Sequence, residues 1–502
     1  MERKHTRREL LLTTLAAMPL LAGCTISGSK IQQRLEQSAN ATPTSISTIV
    51  STSTTHPTPQ ATSTGLPTPQ PTATPGGKVT LRFGVSGNDA ERIAYNAIAN
   101  AYTKTTPNMQ VHIEQLPSTG LPGIQKLLAA GAAPDVLTIA WDFLAPLAQI
   151  GGLDDLTSLL GAGILDDSSL FSTLTNFVTA SGQTLALPLS FNPQVLIYNV
   201  DQFKAANLPP PTVTFTWDRF ETAATQLTTS GHWGFATTTA PFSWLPWVWA
   251  AGGSLFDHDI SPTTCTLDQQ PAITGLQRFA GLWLTPHGTP PPGSLPHGAT
   301  PIAAFAAGAV AMAIGYRSQL PALLNTNFTW QVAYVPQGPG GHGATYIATL
   351  AAVSRSSTIP LPAARFVGFL STDTVAQNAL AQTNTVVPAR RSAATGPDFR
   401  FVGGHIDDTV FVNSLLFCTQ PPQTALWSSI TTILQSVLVP IWKDARQAPT
   451  AAKTAAVKVN TLLKHAKAAA PALAITAPTP TPQPSPSPVP TPPRNATPTP
   501  KS

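Results

Sequence analysis

The chain has 502 residues and a formal net charge of +5, and only 10% of its residues are charged. Soluble domains carry roughly 25% charged residues, so we expect a surface rich in uncharged polar side chains and proline. Outside the first residues the positive charge is spread thinly, apart from a lysine series at 453–467 that has a helical pattern. Because the chain has no basic patch beyond these residues, its charge pattern argues against a nucleic-acid partner. The ten histidines show no zinc-ligand spacing, and we expect neither a metal nor a cofactor.

The first residues are typical of an export signal. Basic residues at 3–8 precede an uncharged run at 10–22, which as a helix would reach about 20 Å and is too short for a bilayer core of roughly 30 Å. The string LAGC, which ends at Cys24, resembles a bacterial lipobox. That resemblance implies removal of residues 1–23, acylation of Cys24 and a lipid anchor on the outer face of the cell membrane. TRRELL at 6–11 also resembles a twin-arginine signal, and the general and twin-arginine export routes both stay open.

Two segments have the composition of disordered chain. Residues 24–77 form a Ser/Thr/Pro-rich tether, and its part from Ser38 to Gly77 contains no Asp, Glu, Lys or Arg. Residues 471–502 repeat this composition as a tail. Such segments cannot bury enough apolar surface to offset the entropy of ordering, so we expect both to be disordered.

The region between them has an α/β pattern. Strands are predicted at 79–85, around Val111 and Ile113, and at 136–139, and they alternate with helices at 89–102, 124–128 and 143–150. This order predicts a mostly parallel sheet, in which ligands bind beyond the carboxyl ends of the strands. Asn88 and Glu91 form a capping-box pattern for the first helix. Its predicted apolar face comprises Ile93, Ala97, Ile98, Ala101 and Tyr102.

A glycine-rich segment at 338–343 matches G-x-G-x-x-G. A strand-like run at 346–353 follows it, whereas a phosphate-binding loop must open a helix, so we interpret the segment as a turn.

Tryptophan is the unusual residue type: there are ten, and Trp244, Trp247 and Trp249 cluster in FSWLPWVWAAGG. Most aromatic side chains pack in cores. An indole face also stacks on the C–H face of a sugar, and a chain with few charges suits a neutral, polyhydroxylated ligand. Both interpretations stay open for each tryptophan.

With Cys24 assigned to lipid, Cys265 and Cys418 remain as a pair. The extracytoplasmic compartment permits either a disulfide or two free thiols.

A collinear series of segments from 78 to 463 carries a family resemblance. It includes LLAAGAAPDVLTI, LAQIGGLDDLTSLL, LALPLSFNPQVLIYNVDQFKAANLPPP, FAAGAVAMAIGYRSQLPAL and NTVVPARRSA. The chain resembles the bacterial extracellular solute-binding proteins of ABC importers, in the sugar-binding group that includes maltose-binding protein.

The resemblance implies an α/β fold of the periplasmic-binding-protein-like type II class, with two α/β lobes, a hinge and an interlobe ligand cleft. Lobe 1 would hold residues 78–187 and 346–387, and lobe 2 residues 188–345 and 388–470. Arg317 stands where the family motif carries an aromatic residue, which makes it a candidate donor to a sugar, an acidic sugar or a phosphate ester. The ligand-binding residues implied by position are Asn88, Trp141, Asp142, Asn192, Trp247, Gly253, Tyr316, Arg317, Tyr346 and Arg390.

The implied function is capture of a mono- or oligosaccharide outside the cell and its delivery to a permease with a cytoplasmic ATPase. We expect a monomer without catalytic activity. One alternative is a surface lipoprotein glycosidase, which needs two carboxylates facing one sugar ring, and no motif singles out such a pair. The other, suggested by the Pro/Thr-rich segments, is a carbohydrate sensor or adhesin without transport.

Overall fold

The structure is a computed structural model, and it describes residues 78–469 except 181, 285–287, 292, 296–299 and 404. The predicted signal peptide (1–23), Cys24, the tether (24–77) and the tail (471–502) lie outside the described residues. Among the described helices, none combines the length and apolar character that crossing a bilayer requires.

Helices and strands alternate along the first part of the described chain and become less regular later. The α-helices are α1 (Asp89–Thr105), α2 (Leu121–Ala129), α3 (Leu144–Gln149), α4 (Thr157–Gly161), α5 (Ser172–Phe177), α6 (Val200–Ala205), α7 (Trp217–Gln226), α8 (Pro241–Ala250), α9 (Gln270–Leu284), α10 (Pro301–Ala306), α11 (Pro360–Thr372), α12 (Thr374–Ala381), α13 (Arg391–Ala394), α14 (Thr409–Ser414), α15 (Trp427–Val437) and α16 (Ala448–Ala469). The strands are β1 (Val79–Val85), β2 (Met109–Gln115), β3 (Val136–Ala140), β4 (Thr179–Ala180), β5 (Gln183–Thr184), β6 (Leu187–Pro193), β7 (Val195–Asn199), β8 (Met312–Gly315), β9 (Trp330–Ala333), β10 (Gln337–Gly338), β11 (Gly341–His342), β12 (Ala344–Val353), β13 (Val387–Pro388) and β14 (Cys418–Thr419). Short 3-10 segments span Trp141–Phe143, Arg317–Leu323, Leu415–Phe417, Val439–Trp442 and Ala445–Gln447.

The larger sheet has seven strands in the order β13-β6-β12-β3-β1-β2, with β14 paired to β12. Strands β2 and β3 both run parallel to β1, as predicted. Strand β12 runs antiparallel to both β3 and β6, and β13 runs antiparallel to β6, so the sheet is mixed and the prediction of a mostly parallel sheet was wrong. The carboxyl ends of β1 and β3 lie at the same sheet edge, and side chains that follow these strands are brought together there.

The smaller sheet has three strands in the order β8-β7-β9, all antiparallel. The chain passes from the larger to the smaller sheet at Gln194, between β6 and β7, and not at the predicted boundary between 187 and 188. The chain returns to the larger sheet at the start of β12. Strand β13 pairs with β6, and the predicted boundary at 387/388 falls inside β13. Residues 185–199 are continuously buried, and Gln194 alone separates the two strands.

Helix α1 begins as predicted. The Glu91 amide donates to the Asn88 side chain at 3.0 Å, and the Asn88 amide donates to the Glu91 carboxylate at 2.9 Å. The predicted apolar face was partly wrong, because Ile93 is 71% exposed. Tyr95 defines the inner face, since its ring packs edge-on against Phe83 at 5.6 Å between centroids. The buried residues of α1 are Ala94, Tyr95, Ile98, Ala99 and Tyr102.

The glycine-rich segment is a turn, as predicted: β10 and β11 form a hairpin, and β12 follows directly. A Cβ atom at Gly343 would lie 1.7 Å from the carbonyl oxygen of Pro246 in α8. The glycine therefore serves the close approach of this hairpin to a helix, and not a phosphate group.

Candidate ligand cleft

The edge of the larger sheet at the ends of β1 and β3 holds the first predicted site residues. The backbone amide of Ser86, just after β1, donates to the Thr138 hydroxyl of β3 at 2.8 Å, which joins the two strand ends. Strand β3 ends at Ala140, and the 3-10 turn that begins with Trp141 follows it directly. The sequence rule for parallel sheets therefore placed Trp141 at a strand end correctly.

Three aromatic side chains from distant parts of the sequence meet at this edge, and we call Trp141, Phe242 and Trp427 the aromatic cluster. The Trp141 centroid lies 5.5 Å from that of Phe242 and 6.0 Å from that of Trp427, both edge-on. Phe242 and Trp427 stack on each other at 5.6 Å with an interplanar angle of 27°. Phe242 lies in the first turn of α8 and Trp427 begins α15, so three separate elements supply the cluster.

Two predicted polar residues lie beside these strand ends. Asp142 follows Trp141 and is half-buried, and this burial raises the pKa of its carboxyl above the ordinary value, against the effect of a backbone hydrogen bond. Asn88 is exposed, and its side-chain oxygen is already used by the helix cap.

Asn192 lies at the crossing between the sheets and is committed to structural bonds. Its side-chain nitrogen donates to the Thr385 carbonyl at 3.1 Å, and its oxygen accepts from the Ser318 amide at 3.3 Å. Tyr316, half-buried nearby, hydrogen-bonds to Gln194, and burial raises the pKa of its hydroxyl. These residues join the segments that meet at the crossing.

Trp247 is a core residue, which corrects the prediction that it faces the cleft. It is 2% exposed, stacks on Trp217 at 5.2 Å and also contacts the rings of Phe220 and Phe279. The Trp-rich segment forms helix α8, in which every residue from Trp244 to Ala250 is buried. Gly253 is corrected too, because a Cβ there would lie 2.5 Å from the Ala272 amide nitrogen of α9, so packing explains this glycine.

Arg317 was predicted as a cleft donor and is instead fully buried. Its Nη1 pairs with Asp408, and its guanidinium lies over the Phe399 ring at 4.1 Å from the centroid. Burial lowers the pKa of Arg317, while the Asp408 carboxylate opposes that shift. The sequence could not distinguish this buried pair from a cleft contact, because the partner lies far along the chain.

Two further predicted residues have structural partners. Tyr346 is buried, and its hydroxyl donates to the Thr173 carbonyl at 3.4 Å. Arg390 donates through Nε to the Ser392 hydroxyl at 2.9 Å and through Nη1 to the Thr372 carbonyl, which ends α11. Both side chains thus make hydrogen bonds within the fold.

Phe242 and Trp427 were not predicted as partners of Trp141. Trp427 stands alone after a Pro- and Thr-containing segment, and no local pattern connects it with β3. A usable signal was the position of both aromatics in the first turn of a helix, where a side chain can project toward a facing element.

Cys265 and Cys418 are both free thiols. Cys265 lies opposite Phe256 in an isolated bridge, whereas Cys418 pairs with Ala344 of β12. Of the two alternatives left open by the sequence, the structure therefore has the free thiols. No group of three or more His, Cys, Asp or Glu side chains that could hold a metal ion occurs in the described part of the chain.

The sequence profile of the family described as bacterial extracellular solute-binding protein matches residues 88–377, more than half of the chain. The chain belongs to this family. The predicted family is thereby confirmed. A curated relative, an uncharacterized lipoprotein in the oleD 5' region of Streptomyces antibioticus, is 28% identical over 277 residues, which are 53% of this chain and 60% of the relative. The alignment thus spans less than two thirds of that protein.

Solved structures confirm the predicted two-lobed, type II fold. An ABC substrate-binding protein from Listeria monocytogenes in complex with cycloalternan matches with a TM-score of 0.65 and 22% identity, over 77% of this chain and 99% of that one. The GacH receptor of Streptomyces glaucescens, solved unliganded and with acarbose, matches with a TM-score of 0.63 and 21% identity, over 77% of this chain and 98% of that one. A maltose-bound protein of T. maritima matches with a TM-score of 0.63 and 19% identity, over 76% of this chain and 99% of that one.

Proposed function

We propose that this chain captures a carbohydrate outside the cell and delivers it to the permease of an ABC importer. The aromatic cluster is the observation that carries the proposal, because it gathers two indoles and a phenyl ring at the carboxyl ends of parallel strands. Ligands of such sheets bind at that edge. The similar proteins from L. monocytogenes, S. glaucescens and T. maritima are described with cycloalternan, acarbose and maltose.

The chemistry of the cluster suits a sugar. Trp141 and Trp427 are 6% and 8% exposed, so their flat faces become available to the C–H face of a pyranose only when the three rings part. The Asp142 carboxyl beside Trp141 can then accept a hydrogen bond from a hydroxyl. Ligand sites of this kind combine an apolar lining with a few polar groups that fix orientation. The low charge of the chain agrees with a neutral ligand.

The lobes must separate for a sugar to enter. The three rings touch each other, so a ligand that stacks on Trp141 has to part them first. The chain crossing at Gln194 would act as the hinge for this movement. Asn192 lies beside it and bonds to both Thr385 and Ser318, so it holds the segments that meet there. Closure around a bound sugar would then replace ring–ring contacts by ring–sugar contacts.

The predicted anchor and partners complete the proposal. Acylation at Cys24 would hold a monomer at the outer face of the membrane, and the tether at 24–77 would let it reach the permease. In this role the subunit binds its ligand and makes or breaks no bond.

A thermal-shift screen with mono- and oligosaccharides tests the proposal, because a ligand that binds only the folded state raises the melting temperature. We expect at least one neutral sugar to stabilise the protein. Titration calorimetry with that sugar should then show about 10- to 150-fold weaker binding for Trp141→Ala and Trp427→Ala, from the loss of buried aromatic contact. A sugar that binds both variants as tightly as the parent would contradict the assignment of the cluster.

A further inference from the structure

The last described helix, α16, carries the excess positive charge of the fold. Residues 78–447 contain 20 acidic and 16 basic residues, so this part of the chain is net negative. Helix α16 adds four lysines and no acidic residue. The charge of the described chain is therefore separated, with one positive element on a negative body.

The inner side of α16 is fixed to the fold, and its outer side carries the lysines. The Cys265 amide donates to the Asn460 side-chain oxygen at 2.7 Å, which holds the middle of the helix in place. The residues packed inward are Ala451, Ala452, Ala455, Ala456, Val459 and Leu463. Four lysines are exposed and form no ion pair with a residue that the structure describes, namely Lys453, Lys458, Lys464 and Lys467.

Three of these lysines lie along one stripe of the helix. At about 100° per residue, Lys453, Lys464 and Lys467 fall within about 60° of one another. At about 1.5 Å per residue they span about 21 Å of the helix axis. Val457 lies beside them and is 60% exposed. A row of this length fits a surface with many negative charges better than it fits one small anion.

Exposed lysines on a helix are usually only solvated, and those in the last turn also complement the helix dipole. Two features of α16 differ from that ordinary case. Exposed helices commonly carry charges of both signs, which pair at i,i+4, whereas the 22 residues of α16 include no acid. In addition, the remainder of the fold is net negative, so an anionic surface attracts this helix and repels the rest.

We infer that the exposed face of α16 docks on the anionic headgroups of a phospholipid bilayer and thereby orients the protein at the membrane. Clusters of four or more basic residues bind anionic lipid electrostatically, and this attraction fades beyond a Debye length of about 8–10 Å. The inference rests on the proposed function for its setting. A lipid anchor at Cys24 would bring the fold to the membrane, and α16 would determine which face of the fold meets it.

Cosedimentation with lipid vesicles tests the inference. The protein is the chain from residue 24 with Cys24→Ser, which lacks the proposed anchor, and no sugar is present. Vesicles of phosphatidylcholine and phosphatidylglycerol at about 3:1 should bind it, and pure phosphatidylcholine vesicles should not. Raising the salt concentration from about 0.05 to 0.5 M should release the protein, because the Debye length shortens.

A pair of charge-matched variants locates the contact. In the first variant the four α16 lysines, at 453, 458, 464 and 467, are replaced by glutamine, and binding to the anionic vesicles should weaken about tenfold or more. In the control variant the same change is made at four exposed lysines elsewhere on the fold, namely Lys78, Lys104, Lys126 and Lys204. Both variants lose the same net charge, and the control should bind within about threefold of the parent.

A double variant separates this face from a groove beside it. Lys464 and Lys467 also line a groove between α3 and the end of α16, whereas Lys453 and Lys458 do not. Lys453→Gln/Lys458→Gln should therefore weaken vesicle binding about threefold or more if the whole face docks. Binding unchanged in this variant would place the anion in the groove and overturn the inference.

Three further outcomes would overturn it. These are equal binding to pure phosphatidylcholine, equal loss in the two fourfold variants, and binding of poly-glutamate as tight as that of the vesicles. None of these measurements involves a sugar. Failure here would leave the sugar screen untouched, and failure of that screen would leave vesicle binding untouched.

Discussion

Arg317 and Asp408 form an ion pair that is sealed from solvent, with side-chain exposures of 0% and 6%. The second Asp408 oxygen accepts the Phe401 amide at 3.1 Å, while Nε and Nη2 of Arg317 have no hydrogen-bond partner among the described residues. The rings of Phe399, Phe401 and Phe411 surround the guanidinium. The pair thereby joins the end of β8 to the segment that precedes α14.

Removing only the acid of this pair should be strongly destabilising. Asp408→Asn leaves a buried guanidinium without its counter-charge, and we expect a loss of about 3–5 kcal/mol in the free energy of unfolding. Urea denaturation measures this. Arg92→Ala removes the exposed i,i+3 pair with Asp89 and serves as the control, for which we expect little change. An Asp408→Asn protein as stable as the parent would show that the pair does not hold this segment.

Trp247 should behave as a packing residue. Trp247→Ala removes a ring that contacts Trp217, Phe220 and Phe279, and such truncations cost about 3–5 kcal/mol. If the variant folds, its affinity for the sugar found by screening should stay within about twofold of the parent. Urea melts and calorimetry on Trp247→Ala and Trp141→Ala together separate the two roles. A Trp247→Ala protein with normal stability and weakened sugar binding would show that Trp247 contacts the ligand and is not a packing residue.

Local signals predicted the regular part of the fold well. The cap of α1 and the strands β1 to β3 depend on neighbouring residues, and the sequence contains those directly. The inner face of α1 was harder to predict, because Ile93 is as apolar as Ile98 and only tertiary packing decides which of the two is buried. The crossing at Gln194 was missed for a related reason, since two strands of different sheets adjoin without a turn.

The candidate site was predictable only where it follows from a strand end. Trp141 comes directly after β3, so the topology of a parallel sheet places it at the ligand edge. Phe242 and Trp427 reach that edge through tertiary packing, which no local pattern encodes. Arg317 and Trp247 were predicted at the ligand and have structural roles instead. An arginine suited to a ligand can equally pair with Asp408, and a tryptophan suited to a sugar can equally pack on Trp217.

The cysteines give a direct chemical test. Cys265 is buried and burial raises the pKa of its thiol to about 11, while burial also raises the pKa of Cys418. Both thiols should therefore react slowly with iodoacetamide in the native protein, because the thiolate is the reactive form. After denaturation without reductant, peptide mass spectrometry should find both residues alkylated. Unlabelled Cys265 and Cys418 under those conditions would reveal a disulfide.

Asp142 should make stability depend on pH in a defined direction. Burial raises the pKa of its carboxyl in the folded state above the ordinary 3.8, so the folded protein binds more protons between these two values. Stability then falls as pH rises through that window. Asp142→Asn removes this titration, and the stability of the parent relative to the variant should decrease from pH 3.5 upward and level off above the folded pKa. A difference that stays constant, or that grows with pH in favour of the parent, would contradict burial as the dominant influence on Asp142.

Gly343 and Gly161 make a matched pair for the last test. A Cβ at Gly343 would lie 1.7 Å from the Pro246 carbonyl oxygen and 2.8 Å from the Ala250 Cβ, so Gly343→Ala must push the hairpin away from α8. Displacement of a packed backbone falls among the overpacking changes, which cost about 1–3 kcal/mol and sometimes more. At Gly161, by contrast, a Cβ meets nothing within 4 Å, and the residue ends helix α4. Gly161→Ala should therefore leave stability unchanged or raise it by about 0.4–1 kcal/mol, because alanine reduces the entropy of the unfolded chain. Urea melts of both variants decide the point, and equal effects at the two positions would mean that the contact between Gly343 and α8 does not constrain the fold.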